Sequence, residues 1–97
     1  MMIAVLATLR VKDGAVAEFE AIFGELARKV REREPGNELY QLTRARDFPN
    51  TYKILELYAD QSALEAHGQS EHFRDLGRRM GAHLDGRPAI EYLDAIG

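Results

Sequence analysis

The side chains in this sequence best suited to moving a proton are His67 and Glu56. His67 follows the start of a predicted helix by a few residues, from where it can reach a neighbouring sheet. An imidazole titrating near pH 6.5 can take a proton from a phenol or quinol. The resulting aromatic anion is electron-rich enough to react with dioxygen directly. Glu56 lies midway along a β-rich run between Ile54 and Tyr58, where a carboxylate is costly to bury unless paired. Arg44 on the adjoining strand is its expected partner, and orienting His67 is its expected catalytic use. A plainer reading competes for each: His67 as a buried imidazole hydrogen-bonded to Glu56 or to a backbone carbonyl, and Glu56 as half of a structural ion pair. Tyr40, Tyr52, Tyr58 and Tyr92 all fall on predicted strands, with Tyr52 and Tyr58 on the face of Glu56. They are candidates to hold a flat aromatic substrate, with Phe73 from the second helical region, although tyrosines serve a sheet or a dimer interface equally well. Phe73, Leu76 and Met80 also read as an ordinary core stripe.

Other chemistries lack support. With no cysteine there is no disulfide, thiolate metal site or cysteine nucleophile. His72 and His83 stand eleven residues apart, which on one helix is about 16 Å, too far to share a metal, and His67 and His72 are poorly phased on a helix. Neither a phosphate-cradling glycine loop nor a serine elbow occurs. No metal or other cofactor is therefore expected. Acidic and basic residues are interspersed, with a net charge of -3, so no basic stripe follows a phosphate backbone and nucleic acid is not an expected partner. The apolar stretch Met1 to Leu9 falls short of the roughly 20 residues that span a bilayer. The cysteine-free composition is compatible with a reducing cytoplasm, the expected location.

These residues must be held by a small set of elements. Met2 to Leu9 is a continuous apolar run ending at Lys12-Asp13-Gly14, the pattern of a strand covered on both faces. From Ala15 to Glu34, Val16, Phe19, Ile22, Phe23, Leu26 and Val30 recur at helical spacing, and Pro35-Gly36-Asn37 stops the helix, with Gly36 suited to a left-handed cap. Leu39 to Arg46 and Thr51 to Tyr58 form a hairpin across Asp47-Phe48-Pro49-Asn50. Ser62-Ala63-Leu64-Glu65 has capping-box spacing, Gly68-Gln69-Ser70 breaks the helix that follows, and Arg87 to Ala95 alternates as a last strand. The order strand, helix, strand, strand, helix, strand over residues 1–97 predicts one α+β domain of ferredoxin-like βαββαβ type, with a four-stranded antiparallel sheet. Leu55 and Leu57 face away from Tyr52, Ile54, Glu56 and Tyr58, so both sheet faces carry large apolar groups. The helices are too few to cover both, and a homodimer is expected to cover the second.

The segment Tyr52-Lys53-Ile54-Leu55-Glu56-Leu57-Tyr58-Ala59-Asp60, followed by Ala63-Leu64-Glu65-Ala66-His67 and Ser70-Glu71-His72-Phe73, resembles the antibiotic biosynthesis monooxygenase family. The resemblance runs through nearly the whole chain. It implies a dimeric α+β barrel with a small cavity between sheet and helices in each subunit. It also implies an oxygenase acting on a small quinol or polycyclic phenol without metal or flavin. Haem-degrading relatives use an asparagine, a tryptophan and a histidine where this chain has Ala7, His67 and Gly77, so haem degradation is not implied. Two alternatives stand beside the oxygenase: a non-catalytic dimer that binds a small molecule or serves a stress response, and a non-oxidative isomerase of the same superfamily.

Overall fold

A computed structural model describes residues 1–97. Its elements are β1 (Ile3–Arg10), α1 (Val16–Arg33), β2 (Asn37–Arg44), β3 (Thr51–Tyr58), α2 (Gln61–Gln69), α3 (Glu71–Gly81) and β4 (Ala89–Asp94). The strands form one antiparallel sheet in the order β2-β3-β1-β4, the ferredoxin-like arrangement that the sequence predicts. Two turns are set by backbone conformations that few residues tolerate. Gly14 before α1 has φ +81, and Asn50 in the hairpin has φ 61. Asn50 Nδ2 donates to Asp13 Oδ1 at 2.6 Å, tying these turns together.

Register sorts each strand into two faces. Val5 pairs with Glu56 and with Tyr92, Ala7 with Ile54 and Ile90, and Tyr40 with Glu56, so these side chains share the face beneath the helices. The continuous apolar β1 is covered on one face only. Val5, Ala7 and Leu9 are buried, while Ala4, Leu6 and Thr8 are partly exposed on the face that no helix reaches. On that outer face Leu39 is 42% and Leu55 38% exposed.

Helix α1 lies over the β2–β3 half of the sheet. Its stripe of Phe19, Phe23, Leu26, Ala27 and Val30 is buried, with Phe23 stacked on Tyr40 at 5.3 Å and Phe19 tilted on Tyr52 at 5.0 Å. The second helical region is divided at Ser70, which is the C-cap of α2 and the N-cap of α3 at once. Its Oγ donates to the carbonyl of His67 at 2.7 Å and accepts from Phe73 N at 3.2 Å. The break at Gly68-Gln69-Ser70 is where the sequence places it.

Two local expectations are corrected. Helix α2 is capped by Asp60, which accepts from Ala63 N at 2.8 Å, so Ser62 lies inside the first turn instead of capping it. Gly36 does not adopt a left-handed conformation. A Cβ there would stand 2.5 Å from Ala63 Cβ, so glycine is required for close approach of the α1–β2 connection to α2. Ala59 N donates to the Gly36 carbonyl at 2.8 Å across the same junction.

Candidate functional site

Over the β1–β4 half of the sheet the helices leave a cavity of about 680 Å³. Its floor includes Val5, Ala7 and Ile54, its roof includes Phe73, Gly77 and Met80, and Ile90 and Tyr92 stand at its β4 side, where Tyr92 is 67% exposed. His67 and Glu56 both line it, as does Tyr40. No lysine or arginine does, and the other carboxylates on its wall are Glu65 and Asp94.

His67 comes from the last turn of α2, where its ring meets Phe73 at 4.6 Å and Tyr40 and Tyr58 at 5.3 Å each. Its Nδ1 lies 3.0 Å from both carboxylate oxygens of Glu34. An ionised Glu34 accepts the proton of Nδ1 and leaves the lone pair on Nε2. No buried side-chain nitrogen or oxygen lacks a partner, and Nε2 has none, so this nitrogen is open to the cavity. Burial lowers the His67 pKa, the Glu34 carboxylate opposes that by hydrogen bond and charge, and His72 adds to the lowering. The ring is thereby kept as an unprotonated acceptor at neutral pH.

The same carboxylate also takes His72, whose Nε2 is 2.5 Å from Glu34 Oε2. On one continuous helix residues five apart point about 140° away from each other. The break at Ser70 turns α3 relative to α2, and both histidines converge on Glu34 at the end of α1. Glu34 is the site residue that sequence reasoning missed. It closes a helical run full of solvated charge, and no spacing links it to histidines more than thirty residues away.

Glu56 does not meet Arg44. The register sets Tyr40 opposite Glu56 and Arg44 opposite Tyr52, so the arginine lies over the Tyr52 ring, 5.6 Å from its centre. Nor does Glu56 hydrogen-bond His67. Its partner is the Tyr58 hydroxyl, which donates to Oε1 at 2.6 Å. Burial pushes the Glu56 carboxyl up to about 7, the Tyr58 hydrogen bond works against this, and the charge of Glu34 adds to it. Burial, with the charge of Glu56, also raises Tyr40 and Tyr58 far above the usual phenol range, so both are neutral hydroxyls.

Of the seven predicted site residues, His67, Glu56, Tyr40, Phe73 and Tyr92 line the cavity. Tyr58 stands behind Glu56 as its hydrogen-bond donor. Tyr52 lies in the filled half of the core, against Phe19 and with its hydroxyl on Glu20. Sharing a strand face with Glu56 did not bring it to the cavity, because Phe19 of α1 covers its ring. His83 is apart from the site, 3.4 Å from Glu18. No group of histidine, aspartate and glutamate has metal-binding geometry, and no helix is long and apolar enough to cross a membrane.

Residues 2–79 match the family described as antibiotic biosynthesis monooxygenase. Among solved structures, a Caulobacter crescentus protein assigned by name to antibiotic biosynthesis monooxygenases is 49% identical, with 99% of this chain and 91% of that one covered and a TM-score of 0.97. A conserved protein from Methanosarcina mazei Go1 is 26% identical over 96% of this chain and 91% of that one, with a TM-score of 0.91. SnoaB, a cofactor-independent oxygenase from Streptomyces nogalater, is 24% identical over 97% and 92% of the two chains with a TM-score of 0.85, a likeness of fold. No curated protein matches the chain.

Proposed function

The chain belongs to the antibiotic biosynthesis monooxygenase family, and we propose that it is a monooxygenase that oxidises a small neutral phenol or quinol with His67 as base and without metal or flavin. One observation carries this reading: a largely apolar cavity whose wall holds the open Nε2 of His67 and the carboxyl of Glu56, pushed up to about 7, together. A sequestered imidazole held as a free base beside a carboxyl that titrates near 7 is what proton transfer to and from a buried ligand requires. Tyr40, Phe73 and Tyr92 offer aromatic surface to the ring.

The reaction balances with dioxygen as the only co-reactant. His67 Nε2 takes the hydroxyl proton, the phenolate supplies the electrons for a new carbon–oxygen bond to dioxygen at a free ring C–H ortho or para to the hydroxyl (ortho in a 1,4-hydroquinone), and the peroxide formed takes the proton back from His67. The hydroperoxide so formed loses water, leaving a quinone that keeps one oxygen atom. The absence of any cationic wall residue matters for selectivity, since a carboxylated phenol would bring its charge beside Glu56, Glu65 and Asp94 with nothing to pair it.

The working unit is proposed to be a cytoplasmic homodimer, with Leu39, Leu55, Leu57 and their neighbours on the outer sheet face covered by a second copy. The test is aerobic incubation with hydroquinones and polycyclic phenols such as 1-naphthol, following oxygen uptake. His67→Ala is expected to lower the rate by about 10²–10⁴-fold, and neutral phenols are expected to outpace carboxylated ones. Uptake equal in wild type and His67→Ala counts against the reading. A second reading, a non-oxidative isomerase, is favoured by the pairing of a base with a half-protonated acid in one cavity. Solvent deuterium entering a ketone without oxygen uptake would select it.

A further inference from the structure

We propose that Glu34 couples His67 to His72, so that a proton taken up from a ligand in the cavity is matched by one released to solvent on the opposite side of the site. The inference rests on His67 being the base of the proposed reaction. His67 lines the 680 Å³ cavity, whereas Glu34 and His72 do not. They line a separate surface depression of about 340 Å³ with Arg33, Asp60 and Ser70. Two imidazoles that share one carboxylate thus open onto two different bodies of solvent. The three side chains are nearly sealed, 9% exposed for Glu34 and 6% for each histidine.

One carboxylate offsets one imidazolium. Two imidazoliums around it would leave an unpaired positive charge in a poorly hydrated place, so the two rings compete for the state that Glu34 stabilises. Every proton is accounted for. The ligand hydroxyl proton moves to His67 Nε2, while His67 keeps its Nδ1 proton on Glu34. His72 yields its Nδ1 proton to water in the outer depression and keeps its Nε2 proton on Glu34. The carboxylate stays ionised and no proton crosses the protein. Return of the His67 proton reverses the exchange. Glu34 and His72 are positioning residues here, acting on the ligand through His67.

Other titratable or charged groups surround the unit. Tyr40, Glu56 and Tyr58 face His67 from the sheet, Glu65 shares the cavity wall, and Arg33 and Asp60 flank the depression. All are left in place in the test, so differences report on Glu34 and His72.

The test is an NMR pH titration of both imidazoles in ¹⁵N-labelled, ligand-free protein. In the wild type, coupling gives each ring an inflection at the midpoint of the other. Glu34→Gln removes the stabilising charge and is expected to lower the His67 midpoint by about one pH unit, a tenfold loss of proton affinity; His72→Gln removes the competing cation and is expected to raise it. A merely structural role would hydrate the ring in both variants and move both midpoints upward. Shifts of the same sign, or no shifts, overturn the proposal. Where a variant does not fold, the wild-type curves decide alone, and two simple independent titrations overturn it. No oxygen or substrate is involved, so failure of turnover leaves the coupling standing, and independent titration ends the coupling even where turnover is found.

Discussion

The two halves of one sheet face are finished differently. Over β2 and β3, α1 packs Phe19 on Tyr52 and Phe23 on Tyr40, with Leu26 and Val30 buried in the same cluster, and only Tyr40, Ile54 and Glu56 at its edge reach the cavity. Beside the cavity, α2, which packs against β3 and α3, contributes no buried apolar side chain at all; its one buried residue is His67. The filled half supplies stability, and the hollow half holds the side chains to which the proposed chemistry is assigned. A single long amphipathic helix closes the first, and a helix broken at Ser70 stands off from the second and turns polar groups inward. This division accommodates two largely buried carboxylates and two buried histidines: Glu34, His67 and His72 meet where α1 ends, and Glu56 lines the cavity with His67.

The largest expected contrast comes from truncation in the filled half. Leu26→Ala is expected to cost about 2–5 kcal/mol in urea unfolding, because the site is fully buried and cannot collapse. A cost below about 1 kcal/mol would mean that this half is not the close-packed one. Next comes the pH dependence of the hollow half. The folded-state pKa of Glu56 is raised to about 7 from 4.5, so between these values the folded protein holds more protons than the unfolded chain. The Glu56 contribution to stability is therefore fully present below about pH 4.5 and is lost as pH rises towards 7, by an amount on the order of 3 kcal/mol. Glu56→Gln is expected to flatten the stability curve over that range, and an unchanged slope would contradict the buried-carboxyl account.

Two glycines sharpen the comparison on a smaller scale. Gly36→Ala forces a methyl group against Ala63 at the junction that holds Glu34 near His67, and is expected to cost about 1–3 kcal/mol. Gly77→Ala, on the cavity roof, meets only Phe73 at an ordinary 3.9 Å and is expected to stabilise α3 by about 0.5–1 kcal/mol. Thermal unfolding of both variants measures whether the tight and the open places have been assigned correctly.

Much of this architecture was legible in the sequence, because it is written in local periodicity. The period of α1, the alternation of β3 and the interruption at Gly68-Gln69-Ser70 each follow from neighbours within a few residues. His67 was legible as a candidate because a histidine a few residues after a predicted helix start can reach the sheet, although a plain buried imidazole explained it equally well from sequence. The partners were not legible. Strand register, which decides that Tyr40 and not Arg44 lies opposite Glu56, depends on long-range pairing. The meeting of His67, His72 and Glu34 depends on the angle between α2 and α3, which the break announces without specifying. Gly36 was read as a cap and serves instead as a point of close approach, a distinction invisible until Ala63 is set beside it.

The central claim, that the cavity admits a phenol and His67 takes its proton, is most directly tested by titrating the protein with 4-nitrophenol, whose phenolate absorbs in the visible range. At a pH near the probe's own half-ionisation point, probe bound to wild-type protein is expected to show more of the phenolate absorbance than the same amount bound to His67→Ala. Failure to bind, or the same spectrum from both proteins, would contradict the account.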